Sequence, residues 1–101
     1  MPIIYEVTNY CDPNAVKTLL EYMTNGHLQD MINTGCFTLA EFEQCSPTQF
    51  RSRYTTENQQ FIDKYLAEHA TSMREDFQKH VPRGVRCERA FFHVVAKFQR
   101  A

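Results

Sequence analysis

The order of hydrophobic patterns along the chain constrains its fold more than any other feature. Apolar and polar residues alternate over 2–10, repeat at helical spacing over 13–33, alternate over 36–45 and 49–56, and repeat helically again up to Phe77. A last alternating stretch begins near Val85. Alternation is typical of half-buried strands, and a repeat of three to four residues is typical of amphipathic helices. The sequence therefore predicts the order β-α-β-β-α-β.

Local signals place the ends of the first helical region. Asp12-Pro13 predicts its start, with Asp12 as the N-cap and Pro13 at the first helical position. Asn25-Gly26 interrupts the apolar spacing, and either residue suits a left-handed C-cap. We therefore expect a helix with a break, or two helical pieces, before Gly35 ends the pattern.

The second half of the chain carries similar signals. Ser46-Pro47-Thr48 predicts the turn of a hairpin between the second and third strands. Thr55 or Thr56 is expected to cap the second helix, which ends before Pro82 and Gly84. The final strand is expected to extend as far as Phe98, a length that requires a bulge or an overhang past its neighbours.

This order of elements is the split-βαβ, or ferredoxin-like, arrangement. It predicts an α+β fold, with a four-stranded antiparallel sheet in the order 4-1-3-2 and two helices on one face. A chain of 101 residues is near the modal domain size, so residues 1–101 are expected to form one domain. The same fold hosts enzymes, ligand-binding proteins and dimerisation modules, so it does not by itself predict a function.

Composition excludes several classes of function. A formal net charge of -1 gives no basic surface for nucleic acid. No apolar stretch is long enough to span a bilayer, and the N-terminus lacks the pattern of a signal peptide. The four cysteines, at 11, 36, 45 and 87, show no Cys-x-x-Cys spacing and are expected to be free thiols. We therefore expect a cytoplasmic protein that binds neither nucleic acid nor membrane and holds no metal and no cofactor.

The sheet face away from the helices is predicted to be charged. Its residues include Glu6 on the first strand and Arg51 and Arg53 on the third, where opposite charges on adjacent strands attract by roughly 0.2–1 kcal/mol per pair. Phe91 and Phe92 near the end of the chain are too apolar to be left in water. These five residues are our candidates for a homodimer interface, and a solvated face with incidental ion pairs is the alternative.

Several segments together are similar to a known family. They are the opening Ile3-Ile4-Tyr5-Glu6-Val7, the segment from His27 to Ile32 with Gly35-Cys36-Phe37 after it, Arg53-Tyr54, and Tyr65 to Ala70 followed by Met73-Arg74. In this order they resemble the small bacterial domains of unknown function in the dimeric α+β barrel superfamily. The family's usual proline before the glycine is Thr34 here. The resemblance implies a homodimer whose sheets face each other, and it implies no reaction.

Two histidines are candidates for chemistry. His27 and Asp30 are three residues apart on the second helical piece, and His69 falls within the apolar stripe of the second helix, four residues after Tyr65. We expect His69 to be buried on the sheet-facing side with Tyr65 beside it. These residues could converge with Tyr5 or Tyr54 from the sheet in a cleft between helices and sheet. Core histidines that only satisfy a backbone carbonyl or a carboxylate are the alternative.

Three functional hypotheses follow. The first is a cytoplasmic homodimer that binds a small, partly aromatic molecule in the cleft. The second is a cofactor-independent monooxygenase or isomerase-like enzyme that uses His27 or His69 as a base. The third is a purely structural dimer without a cavity.

Overall fold

The computed structural model describes residues 1–101 and shows the predicted element order. Four strands form one sheet, and four short helices pack on one of its faces. The strands are β1 (Ile3–Cys11), β2 (Leu39–Ser46), β3 (Gln49–Thr56) and β4 (Val85–His93), and the helices are α1 (Val16–Tyr22), α2 (Leu28–Asn33), α3 (Gln59–Glu68) and α4 (Ala70–His80). None of these helices is long and apolar enough to cross a membrane.

The sheet is antiparallel in the order β2-β3-β1-β4, which confirms the predicted ferredoxin-like α+β fold. In the register of the central pair, Tyr5 stands opposite Tyr54 and Glu6 opposite Arg53. On the other side of β1, Tyr5 stands opposite Phe91. Because side chains alternate across a strand, these pairs separate an aromatic face from a charged face.

The first helical region breaks where the sequence predicts a break. A 3-10 turn over Pro13–Ala15 leads into α1, and a wider π turn over Met23–His27 joins α1 to α2. Gly26 is extended there, with φ 171°, so the predicted left-handed cap at Asn25-Gly26 is wrong. The left-handed glycine is Gly35, with φ 78°, just after α2. The Asp12 side chain makes no capping hydrogen bond, because the N–H of Ala15 donates to the backbone carbonyl of Asp12 instead.

The second helical region differs from the single helix that the sequence predicts. Its N-cap is Asn58, whose side chain accepts a hydrogen bond from the N–H of Phe61, so the predicted caps Thr55 and Thr56 are wrong. The region breaks at His69, where the non-helical φ of −125° ends α3 before α4 begins at Ala70. The hydroxyl of Ser72 donates to the carbonyl of His69, a local bond of the kind that competes with helix continuation.

Strand ends also differ from the prediction. Cys36 and Phe37 are buried core residues that precede β2 rather than belong to it. β4 ends at His93, because its only neighbour, β1, begins at the opposite residue Ile3. The irregular register lies in the hairpin, between Gln44 and Ser46, and β4 pairs with β1 without a bulge.

The core forms two apolar clusters between the helices and the sheet. The larger one centres on the rings of Tyr5, Phe37, Tyr54 and Tyr65, whose centroids lie 5.1–6.2 Å apart. The smaller one contains Leu19, Met23 and Phe50. The cleft described next opens between the two.

Candidate functional site

A cleft between the helices and the covered face of the sheet is the site candidate. Its walls come from β1, β3, β4, the π turn, α2, α3 and α4. Including its open mouth, the empty space measures about 410 Å³, so the enclosed part is considerably smaller. The residues that line the cleft are Tyr5, Val7, Asn9, Met23, His27, Met31, Ser52, Tyr54, Tyr65, Met73, Arg74, Phe77, Cys87 and Arg89.

The sheet contributes polar groups to an otherwise apolar wall. Ser52 is 1% exposed, and its hydroxyl has no hydrogen-bond partner in the protein. The amide oxygen of Asn9 accepts a hydrogen bond of 3.2 Å from the thiol of Cys87. Burial raises the pKa of Tyr54 to about 12, against a smaller opposite effect of the Ser52 hydroxyl, which lies near the Tyr54 hydroxyl but outside hydrogen-bonding geometry. At neutral pH the sheet side of the cleft therefore offers neutral hydroxyl and amide groups.

Tyr65 closes the cleft from α3. Its hydroxyl donates to the sulfur of Met31 at 3.4 Å, and its ring packs 5.7 Å from that of Tyr5. Burial raises the pKa of Tyr65, with Arg74 and Arg89 acting weakly in the opposite direction. Neither arginine forms a salt bridge, whereas Arg51, Arg53 and Arg86 are all paired. The cleft thus has two unpaired positive charges in its lining.

His27 is held by a chain of two hydrogen bonds. The hydroxyl of Tyr22 donates to Oδ2 of Asp76 at 2.7 Å, which uses its only proton. The 3.1 Å contact between Nδ1 of His27 and the Tyr22 oxygen is therefore a bond that the Nδ1–H of His27 donates. Nε2 of His27 is left without a hydrogen-bond partner. This arrangement fixes both the tautomer and the orientation of the imidazole.

Burial lowers the pKa of His27, although the carboxylates of Asp30 and Asp76 act in the opposite direction. The imidazole is therefore neutral at pH 7, with its lone pair on Nε2. Burial and the hydrogen bond to Asp76 raise the pKa of Tyr22, so its phenol stays protonated. His80 packs against the Tyr22 ring, with centroids 5.5 Å apart, and binds the backbone carbonyl of Asp76 through Nδ1.

The structure brings together four of the six predicted cleft residues. His27, Tyr5, Tyr54 and Tyr65 all line it. Asp30 is exposed on α2, in a shallow hollow that it shares with Tyr22, His27 and Asp76, so His27 lies between this hollow and the cleft.

His69 is only half-buried and does not line the cleft, because the chain breaks at this residue and the helical spacing that would have aligned it ends there. Tyr65 lies beside it as expected, with ring centroids 6.3 Å apart. No three His, Cys, Asp or Glu side chains are grouped so that they could hold a metal ion, and all four cysteines are free thiols.

The uncovered side of the sheet, which we call the open face, carries Ile4, Glu6, Arg51, Arg53 and Phe92. Nε of Arg51 binds Glu43 at 2.8 Å, and Nε of Arg53 lies 3.4 Å from Oε2 of Glu6. Phe92 is 48% exposed.

One of the five predicted interface residues is on the other side. Phe91 stands opposite Tyr5 in the register and stacks on its ring at 4.8 Å, so it belongs to the covered face. The alternation of side chains along β4 requires this, because Phe92 next to it faces the other way.

Sequence reasoning missed several residues of the cleft. Asn9 and Ser52 could have been found, because strand alternation places them on the same face as Tyr5 and Tyr54. Tyr22 and Asp76 are separated by 54 positions and meet only through the packing of α1 against α4. Arg74 and Arg89 come from different elements, and neither is marked by a local motif.

Comparison with known proteins identifies a family and a fold. Residues 2–95 match the family described as "Domain of unknown function (DUF4286)". No curated protein matches the chain by sequence.

Solved structures with similar folds include two oxygenases. One is a monooxygenase from the gene ActVA-Orf6 of Streptomyces coelicolor in complex with nanaomycin D, with TM-score 0.76, 15% identity, and coverage of 98% of this chain and 92% of that one. Another is a mutant of SnoaB, a cofactor-independent oxygenase from Streptomyces nogalater, with TM-score 0.67, 9% identity and 98% coverage of both chains.

A third similar structure is a dimeric ferredoxin-like protein from an uncultured marine organism. Its TM-score is 0.69 at 8% identity, and the match covers 96% of this chain and 97% of that one. At such identities these likenesses establish the ferredoxin-like fold, and not an activity.

Proposed function

Because the chain belongs to the DUF4286 family, to which no function is assigned, we propose a function from its own cleft: binding of a small, flat, partly aromatic molecule with a polar group. The observation that carries this proposal is the Ser52 hydroxyl, which is buried in the wall of the cleft without a partner. A buried hydroxyl without a hydrogen bond costs free energy, and a ligand that bonds to it recovers that cost.

The lining favours an aromatic ligand. The rings of Tyr5, Tyr54, Tyr65 and Phe77 offer faces and edges against which a flat ring can pack. Arg74 and Arg89 would attract a ligand oxygen that carries negative charge. Apolar walls with a few polar groups are the usual make-up of a small-molecule site.

The narrowness of the enclosed space is compatible with binding because methionines line it. Met23, Met31 and Met73 have unbranched side chains that adapt their rotamers to what is packed against them. We expect a ligand to enter by displacing these side chains rather than by filling a preformed void.

The four methionines of the chain provide a direct test. With the methionine methyl groups labelled with ¹³C, addition of 2-naphthol should shift the NMR signals of Met23, Met31 and Met73 and leave exposed Met1 unchanged. The saturated analogue decahydro-2-naphthol should produce smaller shifts. Equal response of all four methyls, or of none, would contradict a site in the cleft.

A matched pair of variants tests the role of the hydroxyl. Ser52 and Thr56 lie on the same face of β3, and both have buried hydroxyls without a partner, but only Ser52 lines the cleft. Ser52→Ala should weaken binding of 2-naphthol by about twofold to thirteenfold, as for loss of one hydrogen bond of about 0.5–1.5 kcal/mol. Thr56→Val should leave the affinity unchanged.

A second candidate function is enzymatic: a cofactor-independent oxygenase or an isomerase-like enzyme. The neutral imidazole of His27 in the cleft favours it, since a base must be unprotonated to accept a proton. The similar Streptomyces nogalater protein is described as a cofactor-independent oxygenase. His69 is the weaker candidate base, because it is outside the cleft. A purely structural dimer is the third candidate, and an unresponsive cleft in the methyl experiment would favour it.

We also propose that the chain forms a homodimer through its open face. The similar marine protein is described as dimeric. The Nε atom of Arg53 is buried without a hydrogen bond, although Glu6 lies close by, so the guanidinium retains donors for a partner. Exposed Phe92 would be covered in the same contact. A cytoplasmic location, supported by four cysteines without motif spacing, stays a proposal.

A further inference from the structure

The geometry points to His27 as a positioned proton acceptor for a carbon acid bound in the cleft, with Tyr22 and Asp76 as its positioning residues. A carbon acid is here a flat ketone or phenol-like molecule with an acidic C–H next to a carbonyl. This inference rests on the proposed binding function and adds to it a substrate class and a chemical step.

The direction of the two hydrogen bonds carries the argument. The hydroxyl of Tyr22 donates a hydrogen bond to Asp76 at 2.7 Å. Its oxygen can therefore only accept a hydrogen bond from His27, at 3.1 Å. The imidazole consequently keeps its proton on Nδ1 and presents the lone pair of Nε2, which no protein group uses. His27 is half-buried and its Nε2 is not sealed in the core, so this lone pair is accessible to a bound molecule.

The same chain of bonds supports the charge that proton transfer creates. When Nε2 takes a proton from the ligand, the ligand C–H bond breaks, an N–H bond forms, and the electron pair stays on the ligand as an enolate. The imidazolium still donates through Nδ1 to Tyr22, which still donates to the Asp76 carboxylate. No oxidant or reductant is needed for this step.

The enolate has its own partners. Arg74 and Arg89 line the cleft and are in no salt bridge, so their charges are available to a developing oxyanion. Tyr54 keeps its proton at neutral pH and can donate to the same oxygen. A base and donors for an anion that line the same cleft are the groups that proton abstraction next to a carbonyl requires.

Deuterium exchange into 2-tetralone tests the inference on the intact protein. This bicyclic ketone is close to 2-naphthol in size and has acidic hydrogens beside its carbonyl. In D₂O the protein should accelerate their exchange, followed by NMR, by at least about tenfold over buffer, a small fraction of what general bases supply in enzymes. His27→Gln should return the rate to that of buffer, and His93→Gln, on an exposed residue outside the cleft, should not change it.

The positioning role of Tyr22 and Asp76 is tested separately, by the tautomer of the His27 ring. ¹⁵N NMR of the His27 ring should show a protonated Nδ1 and an unprotonated Nε2 in the wild type. Tyr22→Phe removes the acceptor and should shift the ring toward the Nε2–H tautomer, with exchange slowed about tenfold. Asp76→Asn should likewise shift the ring toward the Nε2–H tautomer and slow the exchange. A tautomer unchanged by Tyr22→Phe would overturn the positioning role even if the exchange rate fell.

The outcomes separate this inference from the binding proposal. If 2-tetralone shifts the cleft methionine methyls but exchanges no faster than in buffer, His27 is not a base and the binding function stands. If exchange persists in His27→Gln, the base is another group and the inference fails. If neither 2-naphthol nor 2-tetralone shifts the methyls and 2-tetralone exchanges no faster than in buffer, both proposals fail together.

Discussion

The two faces of the sheet handle polar groups in opposite ways. On the open face, charged side chains stand opposite one another in register and neutralise each other, as Arg51 and Glu43 do at 2.8 Å. On the covered face, Ser52 is buried among aromatic rings with its hydroxyl unpaired. Nε of Arg53 on the open face also lacks a hydrogen bond, but it has the carboxylate of Glu6 within 3.4 Å, whereas the Ser52 hydroxyl has no charged group of this kind beside it.

This difference indicates separate roles. Paired charges on an exposed sheet set the register of strands or subunits at little cost, because their interaction is screened by solvent. An unpaired hydroxyl inside a packed layer destabilises the fold unless a ligand or an ordered water forms a hydrogen bond with it. The charges of the open face therefore cost little stability, whereas the covered face has an unpaired hydroxyl, Ser52, at the cleft.

The largest expected effect compares two tyrosines of one strand. Tyr5 is 2% exposed on the covered face and contacts four aromatic rings, so Tyr5→Ala should lower the free energy of unfolding by about 3–5 kcal/mol through the cavity left behind. Tyr10, on the open face, rests under Arg86 at 4.2 Å. Tyr10→Ala should cost about 1 kcal/mol or less. Urea denaturation at one protein concentration measures both, and equal losses would contradict the assignment of the faces.

The next effect concerns association through the open face. Arg53→Glu places a third carboxylate beside Glu6 and Glu41, which stand opposite it on the two neighbouring strands. Like charges at these positions repel, so we expect the dimer Kd from sedimentation to rise by at least about tenfold. Adding Glu6→Arg restores one pair across β1 and β3 and should recover part of the affinity. A wild-type protein that sediments as an 11.9 kDa monomer at micromolar concentration would remove the dimer proposal.

The fold could be predicted because periodicity reports which face of an element is buried. Strand alternation gave the sheet and its order, and the charges of Glu6 and Arg53 were placed correctly on one face. The break at His69 could not be predicted, since no glycine or proline marks it and the apolar stripe continues through it. The same limitation explains why His69 was expected in the cleft.

The site was predicted less completely than the fold, because its hydrogen bonds join residues that are far apart in the sequence. His27 could be picked out as a histidine on a helical segment near an acid, but its neighbour in sequence, Asp30, is not its hydrogen-bond partner. The functional contact runs through Tyr22 to Asp76 on α4. A single sequence does not show which of several carboxylates packing will bring to one phenol.

A smaller effect, of unusual sign, is expected at Ser52. Ser52→Ala removes a buried hydroxyl that has no partner, so the free energy of unfolding should rise by about 1 kcal/mol, where a typical core substitution lowers it. Arg51→Ala on the open face, which breaks a pair, should lower it by about 1 kcal/mol or less. Destabilisation by Ser52→Ala would mean that the hydroxyl is satisfied in solution, and it would weaken the case for a ligand in the cleft.

The smallest effect is a pH dependence that comes from His27. Burial lowers the pKa of His27 below its ordinary value of 6.5, so the unfolded chain binds this proton more readily than the folded protein does. The free energy of unfolding should therefore be constant above about pH 7.5 and fall as the pH drops through 6.5. For one proton the slope cannot exceed about 1.4 kcal/mol per pH unit.

Urea denaturation of the wild type and of His27→Gln at a series of pH values isolates this contribution, because other groups titrate equally in both proteins. Because the substitution itself changes the stability, the difference between the two curves should be a constant offset above pH 7.5 and should change below pH 6.5, where only the wild type loses stability through His27. His93→Gln, an exposed residue outside the cleft, should reproduce the wild-type curve. If the wild type instead gained stability relative to His27→Gln on acidification, His27 would be stabilised as an imidazolium by Asp76 and Asp30. The neutral base on which the proton-transfer inference depends would then be absent.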